Sequence, residues 1–129
     1  MKILVVDDMT SIRHVMLNLL RSINYFDLEE ATNGWQALQM VKKNRYDLLI
    51  TDLNMPKMDG RELLKEVRAD PTLKHTPVLV VSSEQDKERV KELIQNGVNG
   101  FVIKPFNAAT LQKQIQRIER QIKLKSADK

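Results

Sequence analysis

Asp7 and Asp8 close the apolar run Ile3-Leu4-Val5-Val6, and Asp52 closes Leu48-Leu49-Ile50-Thr51. In an open α/β sheet, neighbouring strands end at a ligand crevice where strand order reverses, so acids at such ends face one another and solvent. Carboxylates that close demand a cation or a proton. Mg²⁺ suits them because it takes one or two carboxylates together with phosphate oxygens and water. Ser82 ends a further run, Val78-Leu79-Val80-Val81, and Lys104 precedes Pro105-Phe106 after another. Together these side chains hold what phosphoryl transfer to a carboxylate requires. Asp52 is the candidate nucleophile, and Asp7 and Asp8 would hold Mg²⁺ against the phosphoryl oxygens. Ser82 offers a hydrogen bond and Lys104 a mobile positive charge. Pro105 keeps the Lys104 backbone extended or turned, and the isomer of that bond is not legible in sequence.

The elements that must position these groups alternate in period. Short aliphatic runs near 2–6, 27–31, 47–51, 77–82 and 99–103 are each followed by an amphipathic stretch, which makes five βα units. Ile12, Val15, Met16, Leu19, Leu20 and Ile23 follow Thr10 and Ser11 as cap candidates, and Leu111, Ile115, Ile118 and Ile122 form one stripe after Asn107. Both stripes are expected against the sheet. Asn33-Gly34, Asp59-Gly60 and Asn96-Gly97 punctuate the second, third and fourth helices. Such alternation argues for an α/β fold, a five-stranded parallel sheet with five helices covering both faces through right-handed crossovers. Leu28-Glu29-Glu30-Ala31 is too polar for a central strand and reads as an edge. The fourth helix offers only Val90, Leu93 and Ile94, so it is expected to be lightly anchored. One domain over residues 1–124 and a tail over 125–129 account for the chain.

Composition narrows the function classes. A chain of 129 residues can bury roughly two thirds of its unfolded surface as one domain. Its lack of cysteine excludes disulfides and thiolate metal sites. No run is long enough to span a membrane, and Met1-Lys2 leads straight into a strand, so a cytoplasmic location without membrane insertion is expected. The formal charge of +4 resides in residues 107–129, where Lys113, Arg117, Arg120, Lys123, Lys125 and Lys129 face only Glu119 and Asp128. That excess reads as a solvated helix face or a docking surface for an acidic partner, and not as a nucleic-acid site. His14 and His75 have no companions at ligand spacing. Trp35 could cover core or a contact patch.

Asp7-Asp8, Asp52, Ser82 and Lys104-Pro105, with Asn54-Met55-Pro56-Lys57-Met58-Asp59-Gly60, resemble the receiver domain of two-component response regulators. The resemblance spans residues 2–122. Within the family the chain is most similar to stand-alone chemotaxis regulators, through Thr10-Ser11-Ile12-Arg13, Asn18-Leu19-Leu20, Glu29-Glu30-Ala31 and Phe106-Asn107-Ala108-Ala109-Thr110-Leu111. It implies a flavodoxin-like sheet of order 2-1-3-4-5. Asp52 would accept a phosphoryl group from a histidine kinase. Asp8, Asp52 and the Asn54 carbonyl would bind Mg²⁺, with Asp7 acting through water. Lys104 would contact the phosphoryl group, and Ser82 and Phe101 would be the hydroxyl and aromatic switch residues. Asn54 and Glu84 would govern hydrolysis of the phosphoryl group.

Two departures matter: Phe101 stands where the chemotaxis regulators carry tyrosine, and Ser82 replaces the commoner threonine. The implied output face includes Lys87, Val90, Ile94, Phe101 and Ile103, for a flagellar motor switch protein or another target, with a phosphatase as a further partner of a monomer. Two alternatives stay open. One is a Mg²⁺-dependent aspartyl-phosphate phosphohydrolase, against which Asp7 is followed by Asp8 and Met9 where a general acid two residues on is usual, with no cap insertion. The other is a receiver of another phosphorelay, or one cut from a transcription factor.

Overall fold

The computed structural model describes residues 1–83 and 87–127, apart from the side chains of Lys87 and residues 125–127. Its elements run β1 (Ile3–Val6), α1 (Thr10–Ser22), β2 (Leu28–Ala31), α2 (Gly34–Lys43), β3 (Leu48–Asp52), α3 (Gly60–Ala69), β4 (Val78–Ser82), α4 (Lys87–Gln95), β5 (Gly100–Ile103) and α5 (Ala108–Ala127). Every strand pair is parallel, in the order β2-β1-β3-β4-β5. The order reverses beside β1, between β2 and β3, so the ends of β1 and β3 flank the place where a crevice must open.

Alternation along each strand divides the interior into two cores. Leu4, Val6, Leu49, Val78 and Val80 pack with Leu38, Leu63 and Leu64 of α2 and α3. Ile3, Val5, Leu48, Ile50, Leu79 and Val81 pack with Leu20, Leu111, Ile115 and Ile118 of α1 and α5. Burial of each such side chain contributes about 1.5–3 kcal/mol, and β3 and β4 are buried on both faces as their unbroken apolar runs require. The polar β2 is the edge, paired only with β1 among the described residues. No described helix is long and apolar enough to cross a membrane.

The first helix departs from expectation. Its buried face is Arg13, Met16, Leu17 and Leu20, spaced by three and four, while Ile12 and Val15 are exposed. Apolar residues occupy two adjoining faces of α1, and the charged Arg13 decides between them because acceptors await it inside. Thr10 and Ser11 do not cap the helix; Met9 holds the N-cap position and no side chain caps it. Asn33, Asp59 and Asn107 do accept from the backbone N–H of Gln36, Glu62 and Thr110. On α5, Leu111, Ile115 and Ile118 lie against the sheet but Ile122 is exposed, since the helix outruns the strands and continues to Ala127, past residue 124. Leu93 anchors α4, with Val90 partly buried and Ile94 exposed.

Candidate functional site

Asp7 leaves β1 with its N–H donating to the Ala31 carbonyl at 3.2 Å, and its Oδ1 accepts the Met9 N–H at 2.9 Å. These two bonds turn the carboxylate of a buried aspartate towards the ends of β1 and β3. Arg13 secures the same turn from below. Its Nη1 donates to the Asp7 carbonyl at 2.9 Å and its Nε to Glu30 Oε1 at 2.8 Å, which explains how a guanidinium can be 7% exposed in an apolar stripe. Arg13 was invisible as a site-supporting residue in the sequence. Its phase with Met16, Leu17 and Leu20 was the available signal.

Asp52 ends β3 with its side chain 10% exposed, and Lys104 Nζ lies 3.2 Å from its Oδ1. The Lys104 backbone N–H donates to the Ser82 carbonyl at 2.7 Å, so the β4 and β5 ends carry Ser82 and Lys104 to the crevice together. Ser82 is buried, and the Lys104–Pro105 peptide bond is cis. Each of Asp7, Asp8 and Asp52 offers a carboxylate oxygen, and these oxygens lie within 4.8 Å of one another. A hard divalent cation with oxygen ligands at about 2.1 Å holds neighbouring ligands about 3 to 4 Å apart, so small side-chain movements close this set on one ion.

Burial pushes the Asp7 carboxyl up from the ordinary aspartate range, the Met9 N–H and Lys104 oppose it, and Asp8 adds repulsion. Asp52 is likewise pushed up by burial, against the pull of Lys104 and with further repulsion from Asp7 and Asp8. A carboxyl whose folded value is raised holds its proton more readily in the native state, so the stability it leaves is present at low pH. That stability is lost as pH rises from the ordinary value of 3.8 through the raised folded one. In chelator, Asp7→Asn should therefore unfold at a higher temperature than the parent near pH 7, and the advantage should vanish below about pH 4. Thermal unfolding of both proteins across that range checks it; an advantage independent of pH would assign the effect to something other than charge.

The other residues singled out in the sequence lie around this cluster. Asn54 is exposed beyond β3, and its Oδ1 accepts from Arg89 Nη1 of α4 at 3.3 Å. Phe101 stands opposite Val80 on β5, partly buried against the core shared with α2 and α3, and Ile103 shares its face of the strand. Val90 and Ile94 lie on α4. Glu84 and the Lys87 side chain fall outside the described residues.

The model of the response regulator receiver domain matches residues 3–116. The chain belongs to this family. It is 48% identical over 118 residues to chemotaxis protein CheY-3 of Vibrio cholerae, covering 92% of this chain and 91% of that one. The crystal structure of chemotaxis protein CheY4 of Vibrio cholerae superposes with a TM-score of 0.83 at 40% identity, over 91% of this chain and 97% of that one. A receiver domain of the sensor histidine kinase PA1611 from Pseudomonas aeruginosa, with a magnesium ion coordinated in its active-site cleft, has a TM-score of 0.81 at 29% identity and covers 90% of this chain and 94% of its own. The receiver fold, the sheet order and the kinship with chemotaxis response regulators thus agree with the reading of the sequence.

Proposed function

We propose that this receiver accepts a phosphoryl group on Asp52 from a histidine kinase and answers by changing its affinity for a target, the flagellar motor switch of a chemotaxis system. The observation that carries the reading is the asymmetry of the acid cluster: one carboxylate, Asp52, has the Lys104 ammonium at 3.2 Å while Asp7 and Asp8 face it. An Asp52 oxygen attacks phosphorus and the P–N bond breaks with its electron pair going to nitrogen, so that the kinase imidazole, already protonated on its other ring nitrogen, leaves neutral. Lys104, 3.2 Å from Asp52 Oδ1, balances charge as the phosphoryl group arrives. Asp8, Asp52 and the Asn54 carbonyl would hold Mg²⁺ directly, with Asp7 acting through water, and the magnesium-bearing receiver of PA1611 supports that choice of ion. Bound there, Mg²⁺ supplies neutralisation of the phosphoryl oxygens.

Ser82 at the end of β4 donates to the phosphoryl group, Phe101 turns into the space beside it, and the lightly anchored α4 shifts with β5. The face made by Lys87, Val90, Ile94, Phe101 and Ile103 then fits the target differently, while Asn54 and Glu84 set the rate of hydrolysis, alone or with a phosphatase. Reversing a population from mostly inactive to mostly active takes about 5 kcal/mol, which phosphoryl group and target share. The protein acts in the cytoplasm as a monomer and turns over no external substrate.

Acetyl phosphate with Mg²⁺ should add one phosphoryl group per chain, lost slowly, as read by intact mass. Repeated turnover of small phosphate esters would replace this reading with a phosphohydrolase. Capture of a flagellar switch component by beryllofluoride-treated protein, and not by untreated protein, is the expected result for the target; capture of another factor would move it to a different pathway.

A further inference from the structure

A concavity lies at the sheet edge opposite the acids. It is a groove of about 920 Å³ where the chain enters β3, β4 and β5 through Asp47, Pro77 and Asn99. Ligand grooves commonly fall in this size range. Its apolar lining is made by Val41, Leu73, Pro77 and the exposed Ile122 that α5 carries past the sheet. Its rim is basic: Lys42, Lys43, Arg45 and His75 are exposed there. Asp47 is the one acid among the described lining residues, and its carboxylate accepts the Lys2 N–H at 2.7 Å. Lys42 also stands near Asp70, whose carboxyl is held low mainly by Thr72 and in part by that lysine.

The walls are already rigid. Arg68 donates Nε to the Gly97 carbonyl at 3.0 Å, Nη1 to the Thr76 carbonyl at 2.7 Å and Nη2 to Asn99 Oδ1 at 2.7 Å. One half-buried guanidinium thereby ties α3, the entry to β4 and the entry to β5. A groove held open in this way costs little ordering when something binds.

We infer that this groove docks an acidic protein segment that inserts an aliphatic side chain between Leu73, Pro77 and Ile122 while its carboxylates meet Lys42, Lys43, Arg45 and His75. Charge selects the occupant. The segment after Ile122 carries Lys123, Lys125 and Lys129 against Asp128 alone, a charge that does not complement a basic rim. Single-stranded nucleic acid needs exposed aromatic faces, yet the groove's aromatic residue, Tyr46, is 5% exposed, its hydroxyl donates to Glu29 at 2.7 Å, and the Lys2 ammonium lies 5.1 Å from its ring centroid. The groove is on the far edge from Asp52, so docking leaves the acid cluster and the α4–β5 face open. The partner holds the regulator in both its states and fixes its location without reading the phosphoryl group.

Fluorescence anisotropy of a labelled peptide of about a dozen aspartates and glutamates with two leucines, titrated with the whole chain, tests this. Binding should weaken as salt rises and by about tenfold or more in the double variant Lys43→Glu, Arg45→Glu, and also in Ile122→Ala. Asp52→Asn, or beryllofluoride with Mg²⁺, should leave it within twofold. The charge-reversed and Ile122 variants should keep their unfolding temperature and their labelling by acetyl phosphate, so loss of the peptide cannot be confused with loss of the fold or of the phosphoacceptor. Equal binding of a lysine-leucine peptide, displacement by oligo(dT), or affinity within twofold after charge reversal would each overturn the proposal.

Discussion

Asp52→Asn should take up no phosphoryl group from acetyl phosphate with Mg²⁺ and should, in chelator at neutral pH, unfold at a higher temperature than the parent. The two effects have one origin. Asp52 is pushed towards its neutral form first by burial and further by Asp7 and Asp8, with Lys104 in opposition. Folding must therefore place a carboxylate where its charge is unfavourable, and the amide of asparagine removes that charge while keeping the shape. A nucleophilic oxygen is lost with it, so labelling stops. Lys104 loses a partner, but its side chain is 32% exposed and water replaces the bond. The thermal gain is present above the raised Asp52 value, where the parent carries the charge, and fades as both proteins become neutral at low pH. Saturating Mg²⁺ should reverse the order by stabilising the parent alone, by about 2.7 kcal/mol at a hundred times its dissociation constant. Calorimetry with intact-mass labelling reads all three outcomes. Labelling that persists in Asp52→Asn moves the acceptor elsewhere; a lower melting temperature in chelator means that the Lys104 bond outweighs burial.

Gly60→Ala should damage fold and site together. A Cβ at position 60 would lie 2.4 Å from the Asp52 carbonyl oxygen and 3.0 Å from Leu53 Cα, while the Gly60 N–H donates to the Leu53 carbonyl at 2.9 Å. Both obstacles are backbone, so no side chain can rotate aside and the loop between β3 and α3 must move. Overpacking of this kind costs about 1–3 kcal/mol. That cost corresponds to a fall in melting temperature of several degrees for a chain of this size. The displaced atoms belong to Asp52 itself, and a shift of about 1 Å at a reacting group can slow its chemistry about a hundredfold. Initial labelling rates and thermal unfolding, measured side by side, should both drop. If either is unchanged, the first turn of α3 does not buttress Asp52 as the structure implies.

Much of this architecture was legible because its signals are local. Apolar runs of strand length followed by helical periods placed all five βα units, and Asn33, Asp59 and Asn107 cap the helices they precede. The polar character of Leu28-Glu29-Glu30-Ala31 marked an edge strand, and the thin apolar set of α4 matched its single firm anchor, Leu93. The first helix resisted the same treatment. Two apolar faces competed, and the buried one is selected by Arg13, whose acceptors are the Asp7 carbonyl and a carboxylate on a neighbouring strand. Nothing within α1 announces those partners.

The acid cluster divides along the same line. Which groups could meet was already written in the chain, because each of Asp7, Asp8, Asp52, Ser82 and Lys104 ends or follows a strand, and parallel strands with crossover helices bring those ends to one edge. Packing in three dimensions settled the rest: one oxygen of each carboxylate comes within 4.8 Å of the others, Lys104 pairs with Asp52, and burial raises Asp7 and Asp52. It alone also created the basic groove at the far edge, from residues on α2, the entries to three strands and the overrun of α5. The physical reason is range: strand, turn and cap preferences act over a few residues, whereas desolvation, charge pairing and concavity depend on what distant segments bring to the same place.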